Sequence, residues 1–115
     1  MPLVGDRDLV YTDYAEWAGE LRLGVDPSGE GRDQTTWVVR DRFRAQIIAI
    51  EQISSPRGIA QRTVAIAQSL GITDNRVFVD SFGIGFKSVH ELSHVGFYVN
   101  AVDVSDKFLK DSAEA

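Results

Sequence analysis

The chain contains no cysteine, which excludes disulfide staples, thiolate zinc sites and cysteine nucleophiles together. Proline is scarce, at three residues, and no Pro- or Ser-rich linker or low-complexity block divides the sequence. No apolar run approaches the roughly 18–20 residues of a membrane-spanning helix. The first residues, MPLVGDRDLV, lack the basic start and apolar stretch of a secretory signal, so the expected location is the cytoplasm. Positive charge is the minority sign: 12 Lys and Arg stand against 17 Asp and Glu, a formal net charge of −5. That balance argues against a generally basic nucleic-acid binder. It leaves room for an enzyme whose acids are gathered around metal ions.

What is present suffices for one soluble domain: 115 residues, 43% hydrophobic and 25% charged, with no repeat of 20 to 50 residues. Residues 1–19 read as a leader or linker, with a helix-compatible stretch at 13–18 between a Thr12 cap and a Gly19 stop. The domain is read over 20–115. ELRLGVD (20–26) alternates, with Leu21, Leu23 and Val25 on one face, and breaks at Pro27 into the turn PSGEGRD. TTWVVR (35–40) and FRAQIIAIEQI (43–53) are rich in β-branched and aromatic residues and are separated by Asp41 and Arg42, which predicts a hairpin. Ser54 or Ser55 caps a helix over 56–70, with Pro56 in its first turn, Ile59, Thr63, Ile66, Ala67 and Leu70 on one face, and Gly71 as its stop. RVFVD (76–80) is a strand. Phe86, Val89 and Leu92 share the face of a second helix over 85–95, and FYVNAVDV (97–104) is a fifth strand. The order predicts an α/β domain with a mixed five-stranded sheet, its first three strands antiparallel, flanked by helices.

Asp26 and Asp80 each close a strand ahead of a small-residue turn. Side by side, such strands bring both carboxylates to the sheet edge where open α/β sheets bind ligands. Hard oxygen donors suit Mg²⁺ or Mn²⁺, and two such ions roughly 4 Å apart can drive in-line attack on a phosphodiester. The alternative use is local, each Asp capping its own loop. The stretches LGVDPSGEGRDQTTWVVR and VFVDSFGIGFKSVHELSHVGFYVNAV together resemble the ribonuclease-H-like nuclease domain of the large terminase subunit of tailed bacteriophages. The likeness spans roughly 20–104.

The resemblance implies a metal-dependent endonuclease that cuts concatemeric duplex DNA in viral DNA packaging. Asp26 and Asp80 would be its catalytic metal ligands, Asp33 an auxiliary acid, and Mg²⁺ or Mn²⁺ the cofactor. It also implies an ATPase motor domain, a small terminase subunit and a portal as partners, and a host-cell cytoplasmic setting for a phage-encoded chain. No P-loop pattern occurs, so the chain is not itself the motor. A third acid is implied on a helix well after the fifth strand. The tail SDKFLKDSAEA reads as that helix cut short, and none of Asp103, Asp106, Asp111 and Glu114 sits at the required place. An inactive binding or assembly fragment is therefore a further reading.

HELSH (90–94) satisfies H-E-x-x-H, in which His90 and His94 would hold Zn²⁺ and Glu91 would act as general base of a metallopeptidase. Against it, the sequence has no other histidine to complete the site. Arg40, Arg42 and Arg44 in the hairpin, with Lys87, are candidate DNA contacts; solvated positions on an exposed strand are the plainer use. Trp37 and Phe43 are expected to pack in the core or across the hairpin.

Overall fold

The computed structural model describes residues 17–27 and 34–103. Most of the expected 13–18 helix, Asp33, and the tail acids Asp106, Asp111 and Glu114 lie outside the described residues. The elements are β1 (Arg22–Asp26), β2 (Thr35–Arg40), β3 (Ala45–Glu51), α1 (Pro56–Leu70), a single 3₁₀ turn (Asp74–Arg76), β4 (Val77–Asp80), α2 (Ile84–His94) and β5 (Asn100–Val102). The sheet order is β3-β2-β1-β4-β5. β1 runs antiparallel to β2, with Val25 opposite Trp37, and β2 antiparallel to β3. β1 runs parallel to β4, with Val25 beside Val79, and β4 parallel to β5. The expected mixed sheet, antiparallel in its first three strands, is the one observed.

Period-two alternation sorts the strand residues between the two faces. Leu23, Val25, Trp37, Val39, Val77 and Val79 are buried on one face. α1 covers it with Ile59, Ala60, Thr63, Ile66 and Ala67, and α2 with Leu92. Ser55 caps α1 by accepting from the Gly58 N–H at 3.0 Å, and Gly71 ends it in the left-handed region at φ 69°, as Ser and Gly do at these positions. A short polar chain crosses the core: the Trp37 indole N–H donates to Thr63 Oγ1 at 3.0 Å, and that hydroxyl donates to the Ile59 carbonyl at 2.7 Å. A dry core tolerates these groups because each donor finds an acceptor.

Three local expectations are corrected. The hairpin turn occupies 41–44, because Asp41 Oδ1 accepts from the Phe43 and Arg44 N–H groups at 2.8 and 2.9 Å and withholds them from the ladder. Phe43 is consequently on the turn, 77% exposed, with the Arg42 guanidinium 5.8 Å from its ring centroid. Phe86 is likewise exposed, since α2 turns Gly85, Ser88 and Leu92 to the sheet. The fifth strand is shorter than 97–104, because the Phe97 N–H closes α2 on the Leu92 carbonyl and the Tyr98 N–H goes to Asp74 Oδ2. β3 carries a bulge, with the register shifting between Trp37 and Val38.

Asp41 also fastens the segment ahead of β1. Its Oδ2 accepts from the Ala18 N–H at 2.6 Å, while the Arg44 guanidinium lies 4.3 Å from the Trp17 ring centroid. The Ala18 N–H is the largest influence holding the Asp41 carboxyl below its ordinary value of 3.8; burial opposes it, and the Phe43 and Arg44 N–H groups and the Arg44 charge assist. A lowered folded-state pKa means that the unfolded chain takes up the proton more readily. The stabilisation is therefore present above the unfolded pKa near 3.8 and is lost as pH falls through the lower folded value. Asp41→Asn should lower the urea midpoint at neutral pH, and its deficit against the parent should shrink as the buffer is acidified below that point. Thr63→Val should cost about 1–3 kcal/mol by stranding the Trp37 N–H, read as a drop in urea midpoint without a change in m-value.

Candidate metal centre

Asp26 and Asp80 end neighbouring parallel strands. Gly24 pairs with Phe78 and Val25 with Val79, and the same register continued by one residue sets Asp26 beside Asp80. Since Val25 and Val79 are buried, alternation turns both carboxylates to the opposite face, away from α1 and α2. They line one cleft of about 380 Å³ with Gly24, Val38, Phe78 and Val102. Asp26 is exposed and Asp80 half-buried. The pairing expected from the strand ends is therefore present, and at an open face.

The surroundings leave the carboxylates available. Asp80 Oδ1 accepts from the Phe82 N–H at 3.1 Å, a loop bond that orients the group and leaves Oδ2 without a partner among the described residues. The Asp26 carboxylate takes part in no hydrogen bond or ion pair among the described residues, and neither acid has a cationic partner there. Two acceptor-only groups on adjacent strands with no counter-charge fit a hard divalent cation by the chemistry of the donor set. Asp33, the expected auxiliary acid, lies outside the described residues. No group of three or more His, Asp or Glu able to hold a metal occurs among the described residues.

The SFGIG turn does two different things. Gly83 takes φ +61°, a positive φ that a Cβ resists, and so turns the chain from β4 into α2. Gly85 is required for space: a Cβ there would overlap the Asp80 carbonyl and stand 3.3 Å from Pro27 Cγ. The first turn of α2 thus lies against the residues at both acidic strand ends. The same contact explains why α2 shows the sheet Gly85 rather than Phe86. A glycine two residues after a turn glycine was visible in the sequence; which of the two tolerates no side chain was not.

The other sequence candidates fall elsewhere. His90 and His94 meet edge to face on exposed turns of α2 with ring centroids 4.5 Å apart, and Glu91 is engaged by Arg57 at 3.5 Å. A groove of about 490 Å³ between α1 and α2 includes Arg57, Gln61, Glu91 and His94, on the helical side and away from the acids. No third acid or imidazole joins the two histidines among the described residues. Arg40 and Arg42 sit at the end of the sheet away from Asp26, because Arg40 pairs with Arg22 and Thr36 with Asp26. Arg44 is drawn to Asp41 at 3.7 Å, and Lys87 is exposed on α2.

The chain is similar to a mutant nuclease domain of the large terminase subunit gp2 of bacterial virus Sf6, solved with manganese and beta-thujaplicinol. The TM-score is 0.57 at 20% sequence identity, over 76% of this chain and 38% of that one. The fold is shared. It is a mixed five-stranded sheet with two covering helices, the ribonuclease-H-like arrangement that the family resemblance implied. No family model matches the chain, and no curated protein sequence does. No helix among the described residues is long and apolar enough to cross a membrane.

Gly85→Ala should push α2 from the end of β4 and cost about 1–3 kcal/mol, the usual range for forced overpacking. The check is thermal unfolding beside Gly96→Ala, where nothing lies within 4 Å of a built Cβ and only the φ of +76° opposes the change.

Proposed function

We propose that the chain is the catalytic core of a metal-dependent endonuclease from a viral DNA-packaging terminase, acting on concatemeric double-stranded DNA. The observation that carries this reading is the placing of Asp26 and Asp80 on neighbouring parallel strands at an open cleft. The shared fold with a terminase nuclease domain solved with manganese supports it. Asp26 and Asp80 would hold Mg²⁺ or Mn²⁺, with Asp33 assisting. When bound, the metal supplies Lewis acidity toward the phosphodiester and a more acidic water.

The chain's own residues do the rest. The Phe82 N–H fixes Asp80 by one oxygen, so the other is directed rather than free to swing. Asp26 ends the short strand β1, whose position is set by pairing on both edges. Two carboxylates side by side repel a phosphate backbone unless a cation lies between them, which couples substrate binding to metal binding. The ATPase motor, the small terminase subunit and the portal are the partners proposed with this function. Nothing in the groove at Glu91 and His94 favours the peptidase reading.

Plasmid nicking in Mn²⁺ tests the proposal. Asp26→Asn and Asp80→Asn should each lower the rate by at least roughly a hundredfold, the upper end of what loss of an outer-shell partner costs a metal site, while His90→Ala leaves it unchanged. No nicking by the parent chain would favour an inactive fragment. Stoichiometric zinc that disappears with His90→Ala would favour the peptidase.

A further inference from the structure

The carboxylate face carries a second charged feature, at its other end. Alternation along β1 puts Arg22, Gly24 and Asp26 on the open face, and along β2 it puts Thr36, Val38 and Arg40 there. Arg22 and Arg40 are direct partners in the antiparallel ladder. Like charges directly opposite one another destabilise a strand pair, so the fold maintains this pair against its own electrostatics. Arg40 has no ion pair among the described residues. Arg22 reaches Glu20 only at 3.7 Å, and that acid is bound more closely by Arg76 at 2.6 Å.

Between the arginines and the acids lies Gly24, opposite Val38 in unbroken register. A glycine inside a strand weakens it, and with no bulge present it marks a place where another backbone or a ligand comes close. The built Cβ at Gly24 meets only the Val38 carbonyl, at 3.8 Å, so packing within the sheet does not demand glycine. The face is thus flat between a cationic end and an acidic end.

We infer that Arg22 and Arg40 form a clamp for the DNA phosphate backbone, with the strand passing over Gly24 to the acids at Asp26 and Asp80. The inference rests on the nuclease reading and extends it with a direction for the substrate. Four residue steps along β1 lead from Arg22 to Asp26, about 13 Å. One DNA strand carries a phosphate every ~3.4 Å of axis, so the gripped phosphate lies about four nucleotides from the reacting one. A clamp of this kind positions the backbone and reads no sequence.

The test is a salt titration of duplex binding by the full chain, using a short fluorescein-labelled duplex in Ca²⁺ and fluorescence anisotropy. Arg22→Gln and Arg40→Gln should each reduce the steepness of log K against log salt by about 0.9, which at 0.1 M salt is a loss of roughly eightfold. Arg40→Lys, which keeps the charge, should retain the slope, and so should Arg57→Gln on the helical side. Because the pair repels itself, Arg40→Gln should leave the thermal midpoint unchanged or raised, which separates lost binding from lost folding. A double Arg22→Gln, Arg40→Gln variant that binds like the parent would overturn the clamp and leave the nuclease reading standing. An equal loss in Arg57→Gln would also overturn it, as a general charge effect. A parent chain that nicks DNA in Mn²⁺ keeps the nuclease reading whatever the clamp does; one that neither binds nor nicks removes both.

Discussion

The parallel pairing of β1 with β4 is the constraint from which the other features follow. The two strands are separated in sequence by a hairpin and α1, so neither local propensity nor a tight turn can bring them together. Burial does it: Leu23, Val25, Val77 and Val79 are at most 4% exposed, beneath Ile59 and Leu92 from the two helices. Each fully buried aliphatic side chain contributes about 1.5–3 kcal/mol relative to exposure. Because side chains alternate, packing one face also decides what the other presents. A slip of one residue in either strand would bury its Asp and expose its valines, so the register that fills the core also aligns the acids.

α2 closes in on the strand ends that this register aligns. Gly83 turns the chain, and Gly85 allows α2 to rest against the Asp80 carbonyl and close to Pro27. The Phe82 N–H then holds Asp80 from the same turn. Backbone groups perform the positioning, which leaves Asp26 and one Asp80 oxygen for a ligand. At the other end of β1, Asp41 collects three backbone N–H groups and ties the approach to β1 to the hairpin. Carboxylates at the two ends of one short strand are thus used in opposite ways, Asp41 saturated by backbone N–H groups and Asp26 left open.

Charge has a corresponding division. The chain is acidic overall, at −5, and a nucleic-acid substrate would meet net repulsion from it. The open face instead separates its signs along the strands, arginines at one end and aspartates at the other. On such a face local geometry outweighs net charge, because screening confines each interaction to about 8–10 Å at ordinary salt.

By itself the sequence determined the element order, the strand-ending positions of Asp26 and Asp80, and the cap and stop of α1, because these depend on alternation, helical spacing and turn chemistry within a few residues. It also contained Arg22 and Gly24 on the same alternating stripe as Asp26, a signal that reading the acids alone passed over. Only the tertiary structure decided which strands are neighbours, since that rests on burial between segments some 50 residues apart. The rotation of α2 that exposes Phe86, and the turn that exposes Phe43, were likewise decided there. A side chain's helical spacing says which neighbours share its face, but steric contact with a distant backbone carbonyl decides where that face points.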